Sequence, residues 1–130
     1  MTISRKDYLQ KIIKVHERLL IASEEYEGIS EEYILKQELD IEAMKEQWLV
    51  KVEEFKQILA DMNALEVPNA FETEGEELKV AYGQFVSCVE EKTHKFSIET
   101  MESGELDAIQ EAEVEAAEEI EDVIQRMFDK

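Results

Sequence analysis

A ladder of apolar positions, one every seven residues, runs through the middle of the chain. Its rungs are Ile34, Ile41, Trp48, Phe55 and Met62. Because an α-helix returns to the same side after seven residues, the ladder predicts one buried helix face. Charged residues fill the positions between the rungs, which is typical of a helix that packs on one side and meets water on the other. We therefore predict a helix over residues 31–64, about 50 Å long, with neighbouring helices along its apolar face.

A second apolar stripe precedes this helix and predicts another over residues 4–27. Its members are separated by steps of four and three residues: Tyr8, Ile12, Val15, Leu19, Ala22 and Tyr26. Ile13 and Leu20 widen the stripe on one side, so we expect this helix to touch at least two neighbours. We expect Gly28 to end it and Ser30 to cap the next helix.

The second half of the chain begins with a loop and then predicts a third helix. Pro68, the only proline, marks the loop. Thr73 and Glu76 form a capping-box pattern, which predicts a helix over residues 73–102. Lys92 interrupts its apolar stripe, but a lysine stem can lie over apolar surface while its ammonium group reaches water. We therefore expect the helix to continue past Lys92.

Three residues could end the third helix: Ser97, Ser103 and Gly104. We favour a break at Ser103 and Gly104. A fourth helix then follows over residues 104–128, with Glu113 on its apolar stripe. The small alanines around Glu113 bury little area, so we expect this helix to depend on its neighbours for stability.

Four amphipathic helices in 130 residues predict one all-α domain spanning residues 1–130. We expect an antiparallel up-down four-helix bundle, because short connections bring successive helices back alongside one another. The alternative is a three-helix rod in which residues 73–128 form one long helix. That rod would hold Gly104 inside a helix, at a cost of about 1 kcal/mol relative to alanine.

Charge narrows the classes of partner. With 33 acidic and 14 basic residues, the net charge is −19. A charge of this sign opposes approach to nucleic acid backbones and to anionic membrane surfaces. We therefore expect no direct binding to nucleic acid or membrane, and we expect any charged partner to be basic. The longest apolar run, residues 19–22, is too short for a membrane span or a signal peptide. Together with a lone cysteine, Cys88, this favours a cytoplasmic protein.

Acidic residues dominate the last third of the chain. Every charged residue between Phe96 and Gln125 is acidic. On a helix these carboxylates form a face of one sign, which can attract a basic protein surface. The candidate partner-binding residues are Glu111, Glu115, Glu118, Glu119 and Asp122. A solvated face that keeps the protein soluble is the simpler interpretation.

We expect first that the large apolar residues form the buried core of the bundle. A second interpretation is that part of the apolar surface forms a groove for a partner's helix or a homodimer interface, because helices of unequal length cover one another incompletely. The candidate groove residues are Met44, Trp48, Met62 and Met127. Three of them are methionines, whose flexible side chains adapt to varied partners.

No motif predicts catalysis or a metal site. Glu91 and His94 have the Glu-x-x-His spacing of di-iron bundles, but such a site needs a second pair, which His16 does not supply. We expect His16 to be a hydrogen-bonded residue at the edge of the core. Cys88 has no feature nearby that would activate its thiol. We therefore expect no catalytic residue, no bound metal and no cofactor.

These patterns favour a non-catalytic acidic helical protein that binds a basic protein partner. An inhibitor, an immunity factor, a secretion chaperone and an adaptor would all share this physics, in which charge attracts the partner and apolar burial holds it. The alternative is a nucleic-acid mimic that blocks a DNA- or RNA-binding protein, since carboxylates along a rod can imitate a phosphate backbone.

Overall fold

The computed structural model describes residues 3–35 and 40–130, with the side chains of residues 33–35 left out. Four long helices and one short one make up this part of the chain: α1 (Arg5–Leu35), α2 (Ile41–Asn63), α3 (Glu72–Lys95), α4 (Ile98–Ser103) and α5 (Asp107–Asp129). A 3₁₀ turn, Asn69–Phe71, precedes α3. No strand occurs in the described residues. The predicted all-α helical bundle is confirmed.

The first helix boundary differs from the prediction. Gly28 does not end α1, which continues through Ser30 to Leu35. Ile29 is buried and extends the apolar stripe, so its packing offsets the cost of a helical glycine, about 1 kcal/mol. The Ser30 hydroxyl donates to the Glu27 carbonyl, as a serine inside a helix does. The predicted start of a helix at residue 31 is therefore wrong.

The cap of α2 is Asp40 instead of Ser30. Its carboxylate accepts a hydrogen bond from the Ala43 N–H at 3.1 Å. The ladder rungs Trp48 and Phe55 are buried, as the sequence predicts, and so is Met62, whereas Ile41 is half-buried. The side chain of the first rung, at position 34, lies outside the described residues.

Helices begin or end at two of the three candidate breaks, Ser97 and Gly104. The third helix ends at Lys95, and Ser97 caps α4 through a reciprocal capping box with Thr100. Gly104 then adopts a left-handed conformation with φ 75°, which glycine reaches without strain. The predicted extension of the third helix to residue 102 is wrong, and so is the alternative of one helix over residues 73–128.

Successive long helices pack with their chains running in opposite directions. Ion pairs join the helices in reverse order. Between α1 and α2, Arg18 pairs with Asp61, and the later Glu25 pairs with the earlier Lys51. Between α3 and α5, Glu77 pairs with Arg126, and the later Lys92 pairs with the earlier Glu113. Ring contacts of Phe55 with Phe85 and of Trp48 with Phe96 show the same order between α2 and α3.

Candidate functional site

A groove lies between the first and last long helices of the bundle. Helix α1 packs on α2, α2 on α3, and α3 on α5. Between α1 and α5 the bundle leaves a groove of about 490 Å³. Its apolar lining comes from all four long helices: Leu19, Leu20 and Tyr26 of α1, Phe55 of α2, Phe85 and Val89 of α3, and Val114, Ala117 and Ile120 of α5. We call this space the α1–α5 groove.

At one end, a polar chain joins three helices across the groove. His16 Nε2 lies 2.9 Å from Glu121 Oε1, and His16 Nδ1 lies 2.8 Å from the Tyr82 hydroxyl. An ionised carboxylate only accepts hydrogen bonds, so Nε2 donates to Glu121, and Nδ1 shares a hydrogen bond with the Tyr82 hydroxyl. The prediction of a hydrogen-bonded histidine at the edge of the core is confirmed.

At the other end, the two charged residues that interrupt the apolar stripes contact each other. Lys92 Nζ lies 3.0 and 3.1 Å from the two carboxylate oxygens of Glu113, and both side chains are largely buried. The same ammonium group lies 5.1 Å from the centre of the Tyr26 ring, within cation–π distance. Lys92 thus lies between Tyr26 of α1 and Glu113 of α5, whereas the earlier His16 of α1 contacts the later Glu121 of α5. Helices α1 and α5 therefore run in opposite directions along the groove.

Hydrogen bonds hold the Tyr26 wall of the groove in place. Its hydroxyl lies 2.7 Å from Thr93 Oγ1, which donates to the Val89 carbonyl. The Trp48 indole N–H donates to the Tyr26 carbonyl at 2.9 Å, and the two rings stack. Burial raises the pKa of Tyr26 to about 12, so its hydroxyl remains protonated at neutral pH. These contacts hold the Tyr26 ring in place on the groove wall.

Carboxylates stand along both edges of the groove. Glu27 of α1 and Glu118 and Glu121 of α5 all line it. Glu118 is one of the five predicted acidic-face residues, and all five are exposed. Arg126 neutralises part of that face, because it lies 3.0 Å from Asp122 and 3.7 Å from Glu119. Arg126 contacts neither Glu27 nor Glu118, the exposed carboxylates on the two edges of the groove.

The predicted groove residues occupy a different place. Met44, Trp48, Met62 and Met127 are all buried in the core. Each lies on the central stripe of its helix, so it packs against the other helices of the bundle. Their burial leaves no surface at these four positions for a partner's helix, which corrects that part of the prediction.

The groove residues that sequence reasoning missed lie beside the central stripes. Leu20 is 48% exposed and Val114 is 50% exposed, and both line the groove. The sequence carried a signal for Leu20, because it widens the stripe of the first helix. It also carried one for Lys92 and Glu113, since two opposite charges interrupt the stripes of two helices.

Neither Cys88 nor Tyr82 has a lowered pKa. Burial and the nearby charge of Glu113 raise the pKa of Cys88, which keeps it a thiol. Burial and the charge of Glu121 raise the pKa of Tyr82. Glu91 pairs with Lys95 at 2.9 Å, and His94 is exposed. Across the described ranges, no group of three or more His, Cys, Asp or Glu side chains is arranged to hold a metal ion.

No helix in the described ranges is both long and apolar enough to cross a membrane. Comparisons with protein-family models, with curated proteins and with solved structures found no match to this chain.

Proposed function

We propose that this chain is a non-catalytic cytoplasmic protein that acts by binding a basic protein partner, as an inhibitor, immunity factor, secretion chaperone or adaptor. The observation that carries the proposal is an apolar groove with carboxylates on both edges. Such a surface attracts a basic partner from a distance and holds it by apolar burial once they touch.

Charge supports the attraction. The chain carries a net charge of −19, and two of its carboxylates, Glu27 and Glu118, lie on opposite edges of the groove. Potentials of one sign over a concave surface raise the encounter rate with a partner of opposite sign. The effect weakens with salt, because exposed charges are screened over about 8 Å at physiological ionic strength.

Exposed apolar surface in the groove supports binding of the partner by burial. Leu20 and Val114 each leave about half of their surface in water on facing walls of the groove. Covering the remaining half of such a side chain contributes roughly 1 kcal/mol. Two such residues, with the groove floor between them, give a partner a central apolar anchor surrounded by polar groups.

The state of the titratable groups supports a non-catalytic role. Tyr82, Tyr26 and Cys88 all have pKa values raised by burial, and a raised pKa opposes formation of the reactive anion. A nucleophile needs the opposite shift or a base beside it. The hydrogen-bonded chain through His16 joins three helices and so has a structural use of its own.

The alternative is a nucleic-acid mimic that blocks a DNA- or RNA-binding protein. A row of exposed carboxylates favours it: Glu111, Glu115, Glu118 and Asp122 follow one side of α5. Steps of four, three and four residues place them about 4.5 to 6 Å apart along the helix axis. A mimic would bind through this row of carboxylates without burying the apolar lining of the groove.

A tagged pull-down at low and high salt tests the proposal. It uses an extract of cells that express the protein, and the bait is the native chain, the groove variant Leu20→Asp or the control Ile21→Asp. Ile21 is exposed like its neighbour but does not line the groove. We expect a basic protein that persists at high salt with the native chain and Ile21→Asp and is lost with Leu20→Asp.

Two other results would count against the proposal. A basic protein that binds Leu20→Asp normally and is released by moderate salt supports the mimic instead, because charge-only binding weakens steeply with ionic strength. Recovery of no protein at either salt concentration contradicts both functions.

A further inference from the structure

We infer that the α1–α5 groove binds one amphipathic helix of the partner, with its apolar side on the groove floor and lysine or arginine residues on both flanks. The inference rests on the proposed function and deepens it, because it names the kind of segment through which the basic partner binds. Docked there, the helix fills the space that α1 and α5 leave open, as helices do in grooves of this kind.

The length of the groove suits a helix. Its lining runs from His16 to Glu27 on α1 and from Glu113 to Glu121 on α5. At about 1.5 Å per residue, the longer wall spans roughly 17 Å, or three helical turns. Three turns present apolar anchors at positions i, i+3 or i+4, and i+7, which is the spacing by which helices bind apolar grooves.

Exposed apolar residues extend both walls beyond this space. Ile13 lies two turns before Leu20 on α1, and Phe128 lies four turns after Val114 on α5. All four side chains are substantially exposed. Because α1 and α5 run in opposite directions, Ile13 and Phe128 extend the same end of the groove. A single helix between the two walls can cover all four.

Charge complementarity selects a basic helix as the occupant. Glu17, Glu24 and Glu27 are exposed along α1, and Glu118 is exposed on the opposite edge. Lysine or arginine on the flanks of the bound helix would face these carboxylates at the rim. A second copy of this chain would bring another net charge of −19 to the contact, which disfavours self-association there.

Three synthetic peptides of about 18 residues, or five helical turns, test the inference. The first has leucine at helical a/d spacing with lysine on both flanks. The second has the same composition in scrambled order, so it keeps the charge and loses the apolar side. The third keeps the leucines and carries glutamate in place of lysine. Affinities are measured by calorimetry at about 150 mM salt, where exposed charges are partly screened.

We expect the first peptide to bind about tenfold or more tightly than the other two, and to gain helical circular dichroism on binding. Leu20→Asp should weaken its binding by about tenfold, whereas Ile21→Asp should leave the affinity within about twofold. Val114→Asp and Val50→Asp form a second matched pair, because both positions are exposed and only Val114 lines the groove. These exposed positions allow the variants to fold, which circular dichroism of each checks.

Each failure has its own meaning. Equal binding of the first and scrambled peptides overturns the helix inference and leaves the proposed attraction of a basic partner standing. Binding of the first peptide that Leu20→Asp and Val114→Asp do not weaken places the site elsewhere and also overturns it. A native particle of two chains that Leu20→Asp converts to one identifies a second copy as the occupant. If no peptide binds and the pull-down returns no protein, the inference and the proposed function fail together.

Discussion

Removing the carboxylate of Glu113 leaves the ammonium group of Lys92 without its partner in a largely buried position. The two side chains are 16% and 17% exposed, and the nitrogen lies 3.0 and 3.1 Å from the carboxylate oxygens. Breaking a fully buried ion pair costs about 3 to 5 kcal/mol, while exposed pairs contribute about 0 to 1. For this intermediate burial we expect Glu113→Ala to lower the free energy of unfolding by about 2 kcal/mol.

Replacing both charged residues should recover much of that loss. In the double variant Lys92→Met with Glu113→Leu, apolar side chains of similar length continue the stripes of both helices. Such replacements of buried ion pairs are often neutral or stabilising. We therefore expect the double variant to be about as stable as the native chain, and more stable than either single variant by about 1 kcal/mol or more.

Urea unfolding followed by circular dichroism measures these differences. The control is Glu91→Ala, which removes an exposed pair with Lys95 and should change stability by less than about 0.5 kcal/mol. A loss below about 0.5 kcal/mol for Glu113→Ala would show that the ammonium group reaches water freely without its partner. A double variant less stable than both single variants would refute the reasoning about the stripes.

Three further predictions concern local features. Gly104→Ala should lower the free energy of unfolding by about 1 kcal/mol or more, because Gly104 has φ 75°. Gly28→Ala should be neutral or stabilising, because a Cβ at that position meets nothing within 4 Å. Thermal unfolding of the two variants measures the difference. The hydrogen bond from Arg18 lowers the pKa of Asp61, so its contribution is present above the unfolded pKa near 4 and is lost as pH falls through the lower folded pKa. Asp61→Asn should therefore reduce the loss of stability below about pH 4 in acid titrations. Cys88 should react with iodoacetamide at pH 8 about tenfold more slowly in the folded chain than in urea, because burial raises its pKa. Equal rates would show that the thiol is neither buried nor raised in pKa.

The fold class could be predicted because apolar periodicity depends only on which residues need burial. Trp48 and Phe55 follow that rule and are buried. The end of α1 could not be predicted from Gly28. One glycine inside a helix costs only about 1 kcal/mol, and the packing of the neighbouring Ile29 outweighs that cost. Ser97, which caps α4, is one of the three candidate breaks in the sequence, but the apolar pattern favours the later break at Ser103 and Gly104.

The candidate site was harder to predict than the fold. Trp48 and Met62 are groove candidates if helices of unequal length leave part of their apolar stripes uncovered, but residues at the centre of a stripe face the centre of a bundle. The groove forms where the edges of two stripes meet, at Leu20 and Val114. Edge residues become visible as a site only when the arrangement of the helices shows that α1 and α5 leave a gap.

Methyl NMR of the chain during titration with the leucine–lysine peptide tests the central claim most directly. Leu20 and Val114 lie on facing walls of the α1–α5 groove, and Val50 is an exposed residue outside it. We expect the Leu20 and Val114 methyl signals to shift together and saturate, while the Val50 signals stay in place. Saturating shifts confined to other surfaces, or no shifts at all, would contradict the account.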